Sequence, residues 1–254
     1  MKGLNNMVKS YIFANIIGTV NSKGYASYHE LSDILNCSES TARRAVDELA
    51  IQGKLIKERG GASSLIVGDF FTSDQNLLTR DRIDAPIKKR LAAKAIELIE
   101  DDMTIYIDAG SSTLYLAREL SKTNITVVTN SFTIAKLLTE KFINTILIGG
   151  QIKLKTDAAI GPLAIDAISR FTFNYGFFGA NGVTPEKGFS TPDLEEAHIK
   201  EVAIKNSLKS VFLVNDTKFN KNSIVSFASL DNKIIITNYK DDHHKYSAAE
   251  IIEA

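Results

Sequence analysis

Residues 108–113, which read Asp-Ala-Gly-Ser-Ser-Thr, combine a carboxylate, a glycine and three hydroxyls in one short segment. Gly110 permits a close approach of the backbone, and hydroxyl and backbone donors follow it at Ser111, Ser112 and Thr113. A helix that begins here also presents the positive end of its dipole, so the expected ligand is an anion, in the first place a phosphate group. The segment lacks the Gly-x-Gly-x-x-Gly pattern and the Gly-Lys-Ser/Thr ending, so neither NAD nor ATP is indicated.

Four other short apolar runs are also followed by polar or glycine residues. These are Thr129-Asn130-Ser131, Gly149-Gly150, Gly179-Ala180-Asn181-Gly182 and Asn215-Asp216-Thr217-Lys218. Taken singly, a serine can cap a helix, a glycine pair can turn the chain, and a lysine can lie on the surface. Their joint position after successive apolar runs favours a binding site.

The apolar runs have the length and β-branched content of strands, and helical segments lie between them. They cover residues 103–107, 125–128, 143–148, 173–178, 210–214 and 233–236. This alternation predicts a parallel sheet in an α/β layered domain, in which ligands bind beyond the carboxyl ends of the strands. We therefore expect Lys218 to add a positive charge near the phosphate, and Asp108 and Asn130 to bind sugar hydroxyls.

A second group of residues, nearer the N-terminus, has the chemistry of DNA binding. Small hydroxyl side chains at Ser38, Ser40 and Thr41 permit a close approach to a nucleic-acid backbone. Arg43 and Arg44 follow them and can contact guanine edges or phosphates. These types fit a recognition helix, whose early residues reach the major groove.

Three helical segments and a hairpin position these N-terminal residues. Apolar spacing predicts a first helix over residues 7–20, a second that Ser27 caps and that ends near Asn36, and a third capped by Ser38 or Ser40. Residues 54–59 and 64–67 read as two strands joined by a Gly60-Gly61 turn, which forms a wing. Lys57 and Arg59 on that wing are expected to lie along phosphates. The alternative is an interaction module whose arginines are only solvated.

These features divide the chain into a winged helix-turn-helix over residues 1–68, a linker over 69–85 and an α/β domain over 86–254. The candidate DNA-binding residues are Ser27, Ser38, Ser40, Thr41, Arg43, Arg44, Lys57 and Arg59. A helix is expected to begin at Pro86, because proline is tolerated in the first turn.

Composition sets further limits. Lys and Arg number 30 and Asp and Glu number 30, so any DNA-binding surface must be local rather than a property of the whole molecule. One cysteine excludes an internal disulfide and a multi-cysteine metal site, and the four histidines do not form a metal-binding pattern. We expect no metal and no cofactor. With no targeting segment and no long apolar run, a cytoplasmic protein without membrane contact is expected.

The N-terminal part resembles the DNA-binding domain of DeoR-type bacterial repressors. The resemblance rests on Glu-Leu-Ser-Asp-Ile-Leu at 30–35, Cys-Ser-Glu-Ser-Thr-Ala-Arg-Arg at 37–44, Leu49, Gly53, and Arg-Gly-Gly-Ala at 59–62. The Gly-Gly-Ala wing is its most specific piece. Ala45 and Val46 replace the acidic residue and leucine that usually follow the paired arginines.

The second part is similar to the effector domain of the same family along nearly its whole length. Matching segments are 108–113, 128–131, 149–150, 179–182, Glu196-Ala197 with Lys200, and 216–219. The resemblance implies a fold similar to ribose-phosphate isomerases and coenzyme A transferases, used to sense a phosphorylated sugar or polyol. The candidate effector-binding residues are Asp108, Gly110, Ser111, Ser112, Thr113, Thr129, Asn130, Gly149, Gly150, Asn181, Glu196, Lys200 and Lys218. The chain has Asn238 where that family often has aspartate.

The leading hypothesis is a repressor of a sugar-catabolism operon that a sugar phosphate releases from its operator, acting as a homodimer or homotetramer. Tagatose 6-phosphate, fructose 1-phosphate and glycerol 3-phosphate all suit the predicted site. An activator of the same architecture is one alternative. Another is an isomerase-like enzyme in which Asp108, Glu195 or Glu196 acts as the base and Lys218 stabilises charge.

Overall fold

The computed structural model describes residues 2–23, 25–64, 70–71 and 83–254. Contacts divide the chain into two units, Met1–Gly68 and Asp69–Ala254. Most of the predicted linker, and residues 65–67 of the second wing strand, lie outside the described residues.

The N-terminal unit contains three helices and a three-stranded antiparallel sheet. Its helices are α1 (Lys2–Lys23), α2 (Tyr28–Leu35) and α3 (Glu39–Ile51). Its strands are β1 (Tyr25–Ser27), β2 (Ile56–Glu58) and β3 (Gly61–Ser63), in the order β1-β3-β2. Fully buried apolar side chains from all three helices form the core, among them Ile16, Leu31 and Leu49. The three predicted helices are present, and α1 extends beyond residues 7–20 at both ends.

The wing differs from its prediction in where its second strand begins. Gly61 was expected in the turn, but it starts β3 and pairs with both Ser27 and Glu58. A Cβ atom on Gly61 would lie 2.2 Å from the backbone oxygen of Ala26, so only glycine lets β1 approach this closely. The remaining strand of this sheet, β1, was not predicted from the sequence.

The C-terminal unit is built on a seven-stranded parallel sheet. Its strands are β5 (Thr104–Ile107), β6 (Thr126–Thr129), β7 (Asn144–Leu147), β10 (Phe173–Phe178), β13 (Ser207–Leu213), β16 (Lys233–Thr237) and β17 (Glu250–Glu253). They are arranged in the order β17-β16-β13-β10-β5-β6-β7. The predicted α/β class and parallel sheet are confirmed, and β17 is an additional edge strand.

Helices cover both faces of this sheet. They are α4 (Ala85–Ile96), α5 (Ser111–Glu119), α6 (Phe132–Glu140), α7 (Pro162–Ser169) and α8 (Leu194–Lys205). On β5, Ile105 and Ile107 belong to the core beneath α4 and α5, whereas Tyr106 belongs to the core beneath α7 and α8. Side chains alternate between faces along a strand, so a strand covered on both sides is apolar throughout. This is why the predicted runs were continuous.

Nine shorter elements of the described residues join these layers. Antiparallel strands β8 (Gln151–Lys153) and β9 (Ala158–Ile160) form one hairpin, and β11 (Gly182–Thr184), β12 (Gly188–Thr191) and β15 (Val225–Ala228) form a three-stranded sheet. The two-residue strands β14 (Asn222–Ser223) and β4 (Phe70–Phe71) pair in parallel, so part of the predicted linker is a strand of the second unit. Short 3-10 turns lie at Asp216–Lys218 and His243–Tyr246.

Candidate functional site

The turn between α2 and α3 is made by two residues with defined hydrogen bonds. Asn36 adopts a left-handed conformation at φ 48°, which ends α2, and its N–H donates to the backbone oxygen of Asp33. The N–H of Cys37 donates to the oxygen of Ser32 at 3.0 Å. Helix α3 therefore begins immediately after α2, as a helix-turn-helix requires.

Three predicted hydroxyls meet at the start of α3. Ser38 is the N-cap, and its Oγ accepts the N–H of Thr41 at 3.3 Å. The Ser38 Oγ also lies 2.8 Å from the Oγ of Ser40 and 2.9 Å from the Oγ1 of Thr41. All three residues are exposed, so the hydroxyl cluster is open to solvent at the N-terminal end of α3.

Ser27 serves α2 instead. Its Oγ accepts the N–H of Glu30 at 3.1 Å, and its own N–H donates to the Glu30 carboxylate at 3.0 Å, which is a complete capping box. Lys23 pairs with the same carboxylate at 3.0 Å. These contacts place Ser27, which the sequence predicted as a DNA-binding residue, as the N-cap of α2.

The basic residues of this unit lie on α3 and on the wing. Arg43, Arg44 and Arg59 are exposed. The guanidinium carbon of Arg43 lies 4.9 Å from the centroid of the Tyr28 ring. Lys57 is exposed too, so the structure places all four predicted cationic side chains in contact with solvent.

Lys57 differs from the three arginines because it forms an ion pair within the unit. Its Nζ lies 2.6 Å from Oδ1 of Asp47 on α3. The Asp47 carboxylate, through its direct contact and its charge, raises the pKa of Lys57. Asp47 was not among the predicted site residues.

In the second unit, three neighbouring strands bring their ends together. Phe177 of β10 pairs with Ile107 of β5, and Ile107 pairs with Thr129 of β6. The residues that follow, Asp108, Asn130 and Gly179, therefore lie at one edge of the sheet. The N–H of Gly179 donates to Oδ2 of Asp108 at 3.3 Å.

Asp108 is held by a buried cation. Its side chain is 3% exposed and forms an ion pair and hydrogen bond with Nζ of Lys200, which is 6% exposed. The Lys200 Nζ also lies 5.6 Å from the centroid of the Phe227 ring. Two opposite charges buried together stabilise each other, whereas either one alone would be costly in this environment.

Asn130 holds the loops together. Its Oδ1 accepts the Tyr106 hydroxyl at 2.9 Å and the N–H of Ala109 at 3.1 Å, and its Nδ2 donates to the oxygen of Ala159 at 3.1 Å. Complete burial, together with the nearby charge of Asp108, raises the pKa of Tyr106 well above its ordinary value, so Tyr106 remains a donor. The sequence suggested that Asn130 binds a ligand, and in the structure its side chain fixes the geometry of the strand ends.

The predicted anion loop leads into α5. Gly110 is the N-cap and, lacking a side chain, supplies no hydrogen bond to the first turn. The Thr113 hydroxyl donates to the backbone oxygens of Asp108 and Gly110 at 2.6 and 3.0 Å, which folds the loop. Ser111 and Ser112 are half-buried at the same end of the helix. A helix N-terminus without a side-chain cap is suited to an anion.

A second buried cluster surrounds Glu196, one helical turn before Lys200. The Glu196 carboxylate accepts Nζ of Lys153 at 2.8 Å and the Thr156 hydroxyl at 2.6 Å. Asp193 caps α8 by accepting the N–H of Glu196, and pairs with Lys153 at 2.9 Å. Partial burial alone would raise the pKa of Asp193, but its contact with Lys153 and its hydrogen bond from the Glu196 N–H outweigh burial and lower it.

The remaining predicted residues have separate positions. Gly150 packs closely, since a Cβ there would lie 2.7 Å from the oxygen of Ile160, whereas Gly149 has open space. Thr129 accepts the N–H of Ser131 at 3.1 Å, and Asn181 accepts the Thr191 hydroxyl at 3.4 Å. Lys218 is half-buried in the 3-10 turn after β13.

Asn238 accepts the N–H of Asp216 at 2.9 Å through its Oδ1. The amide oxygen thus does for this loop what a carboxylate oxygen would do, which gives the departure from the family pattern a structural explanation.

Four further residues contact the predicted residues Asn130 or Glu196 but were not themselves predicted. They are Tyr106, Lys153, Thr156 and Asp193. Asp193 had a local signal, because an aspartate three residues before Glu196 is typical of a helix cap. Lys153 and Thr156 had none, since they reach Glu196 across 43 and 40 residues of sequence.

No group of three or more His, Cys, Asp or Glu in the described ranges is arranged to hold a metal ion. Within the same ranges, no helix combines the length and apolar character needed to cross a membrane.

A winged helix-turn-helix followed by a parallel α/β unit with polar strand ends defines a class of regulators that join a DNA-binding domain to a sensor domain. Two family models match the chain, "DeoR-like helix-turn-helix domain" over residues 13–66 and "DeoR C terminal sensor domain" over residues 84–239. The chain therefore belongs to the DeoR family.

Curated relatives extend over most of the chain. An "Uncharacterized HTH-type transcriptional regulator FruR" of Bacillus subtilis is 35% identical over 87% of this chain and 88% of its own. A "Lactose phosphotransferase system repressor" of Staphylococcus aureus is 31% identical over 92% of this chain and 94% of its own. Among solved structures, ribose 5-phosphate isomerase A of Methanocaldococcus jannaschii has a TM-score of 0.41 and 18% identity over 54% of this chain and 56% of its own.

Proposed function

We propose that this protein is a DNA-binding repressor of a sugar-catabolism operon, which leaves its operator when a phosphorylated sugar or polyol binds. Family membership over both units carries this proposal, together with the repressor function in the name of the staphylococcal relative. In such a switch, the effector must bind the released state more tightly than the DNA-bound state.

The DNA interface consists of the start of α3 and the wing. The exposed hydroxyls of Ser38, Ser40 and Thr41 approach the DNA backbone, and Arg43 and Arg44 reach base edges or phosphates in the major groove. On the wing, Lys57 and Arg59 contact phosphates and carry no sequence information. Ser27 contributes by fixing α2.

The effector site lies at the carboxyl ends of β5, β6 and β10. The phosphate binds at the N-terminus of α5, where Gly110, Ser111 and Ser112 offer backbone and hydroxyl donors. Lys218 supplies positive charge. The sugar hydroxyls reach the edge that contains Asp108.

The remaining candidates support this site. They line the effector site or fix the loops around it, and they are Thr113, Thr129, Asn130, Gly149, Gly150, Asn181, Glu196 and Lys200. We further propose that the protein acts in the cytoplasm as a homodimer or homotetramer, since two recognition helices can then occupy successive major grooves.

An isomerase function has weaker support. A general base needs a carboxylate that is available to a substrate proton. The carboxylates of Asp108 and Glu196 are held by the buried Lys200 and by Lys153, and Glu195 is exposed on the surface of α8. The curated relatives reported above are named as regulators, and we propose that this chain is not an enzyme.

A thermal-shift screen of sugar phosphates and polyol phosphates tests the effector half of the proposal. A compound that binds only the folded state at 100 times its Kd stabilises it by about 2.7 kcal/mol, so a true effector gives a clear rise in melting temperature. Tagatose 6-phosphate, fructose 1-phosphate and glycerol 3-phosphate are the first compounds to test. The shift should be lost in Ser112→Ala and Lys218→Ala, and retained in the exposed-site control Ser229→Ala.

Footprinting on the DNA around the protein's own operon tests the other half. We expect a protected operator that is released by the compound found in the screen. If no DNA is protected, with or without the compound, the proposed repressor function is wrong. If the pure protein turns over a pentose or hexose phosphate, the isomerase function is favoured instead.

A further inference from the structure

An acidic residue lies on the face of α3 that the proposed function directs at DNA. Asp47 follows Arg43 by four residues and Ser40 by seven, and residues with these spacings share one side of a helix. A carboxylate on that side repels phosphates. Its presence there therefore needs an explanation beyond helix formation.

The ion pair that Asp47 forms explains its presence on this face of α3. Its carboxylate lies 2.6 Å from Nζ of Lys57, so the helix acid is paired with the wing lysine. The Asp47 side chain is 40% exposed and the Lys57 side chain 50% exposed, so a second anion can reach the ammonium group. The raised pKa of Lys57 keeps that group charged.

Two buried polar atoms at this place lack a hydrogen-bond partner. In the described ranges, the buried side-chain oxygens and nitrogens that lack a hydrogen-bond partner are the hydroxyl of Tyr28 and Oδ1 of Asp47. Lys57 contacts this same oxygen of Asp47 as an ion pair. Tyr28 lies beneath Arg43 in the same cluster. Buried polar atoms are normally paired, so this arrangement leaves bonding capacity unused in the free protein.

We propose that Asp47 is an internal competitor for DNA phosphates. In the free protein it holds Lys57, and on binding it gives up the ammonium group to the sugar-phosphate backbone. Asp47 therefore lowers the affinity for every duplex, whatever its sequence, and positions the wing lysine before DNA arrives. This inference rests on the proposed DNA binding.

The relative strengths of the two contacts favour the exchange. An exposed ion pair contributes little, because water and salt screen it. A phosphate contact on duplex DNA also releases condensed counterions, which adds an entropic gain that Asp47 cannot match. The competitor consequently weakens binding without preventing it.

The test uses the full-length protein and a labelled 30-base-pair duplex of random sequence, with binding measured by fluorescence anisotropy over a salt series. Asp47→Asn should bind at least about threefold more tightly than wild type at low salt. Lys57→Gln should bind more weakly and reduce the salt slope by about one. In the Lys57→Gln background, Asp47→Asn should have no further effect beyond that of the control.

Asp33→Asn is the control, since it removes one negative charge from an exposed side chain of α2. Equal gains for Asp33→Asn and Asp47→Asn would show a general charge effect and overturn the proposal. The proposal is also wrong if Asp47→Asn binds DNA more weakly than wild type, or if Asp47→Asn increases the affinity as much in the Lys57→Gln background as in wild type. If the wild type binds neither this duplex nor operon DNA with salt dependence, the DNA-binding function itself fails.

Discussion

Removal of the buried cation at the edge of the sheet is expected to destabilise the C-terminal unit strongly. Lys200→Met retains an apolar stem of similar length but leaves the Asp108 carboxylate, which is 3% exposed, without its charge partner. Breaking a buried ion pair in this way costs about 3–5 kcal/mol. A unit of this size loses about 2–4 °C per kcal/mol, so its melting temperature should fall by about 6–20 °C.

Calorimetry on the full-length protein measures this effect, with Lys205→Met as the control because that lysine is exposed on the same helix. The double variant Asp108→Asn with Lys200→Met removes both charges and retains an acceptor for the Gly179 amide. It should recover more than half of the loss. A single variant that melts within about 2 °C of wild type, or a double variant no more stable than the single one, would refute the buried-pair argument.

Three further predictions concern local features. Gly61→Ala should destabilise the N-terminal unit by about 1–3 kcal/mol because its new Cβ meets the β1 backbone, whereas Gly18→Ala, with open space in α1, should stabilise it by about 0.5–1 kcal/mol in urea unfolding. Because the pKa of Asp193 is lowered, the ionised carboxylate stabilises the fold at pH values above its ordinary pKa of 3.8, and this stabilisation is lost as the pH falls through the folded-state pKa. The difference in melting temperature between wild type and Asp193→Asn should therefore disappear at low pH. The control Glu195→Gln should show no such pH-dependent difference. Ser38→Ala should cost about 1 kcal/mol through loss of the α3 cap, and unchanged stability would contradict the cap.

Five of the six sheet strands that the sequence identified lie inside the sheet, and the sixth, β7, is a largely exposed edge strand. The run at 173–178 coincides with β10, because every residue of a strand between two helical layers tends to be apolar. The missed strand β17 reads Glu-Ile-Ile-Glu at the edge of the sheet, where such a run is not required. Also missing from the sequence-based prediction are the antiparallel strands β8, β9, β11, β12 and β15, each of which has three or four residues.

The candidate site shows the same division between local and distant information. The positions of Asp108, Gly110 and Asn130 follow from strand order, since carboxyl ends of neighbouring parallel strands must meet. Their hydrogen bonds do not. Asn130 bonds to Tyr106 and to the backbone of strand β9, 29 residues away in the sequence, and such a contact depends on a tertiary arrangement that no local pattern encodes.

Burial decides what each lysine–carboxylate pair of this protein can do. Lys200 and Asp108 are both less than 7% exposed, so neither can be separated without leaving a charge in a medium that stabilises it poorly. That pair is fixed, and it holds the strand ends in one arrangement. Lys57 and Asp47 are about half exposed, so water compensates when they separate and a phosphate can replace the carboxylate. The same chemistry thus provides a rigid frame in the sensor unit and an exchangeable contact on the wing.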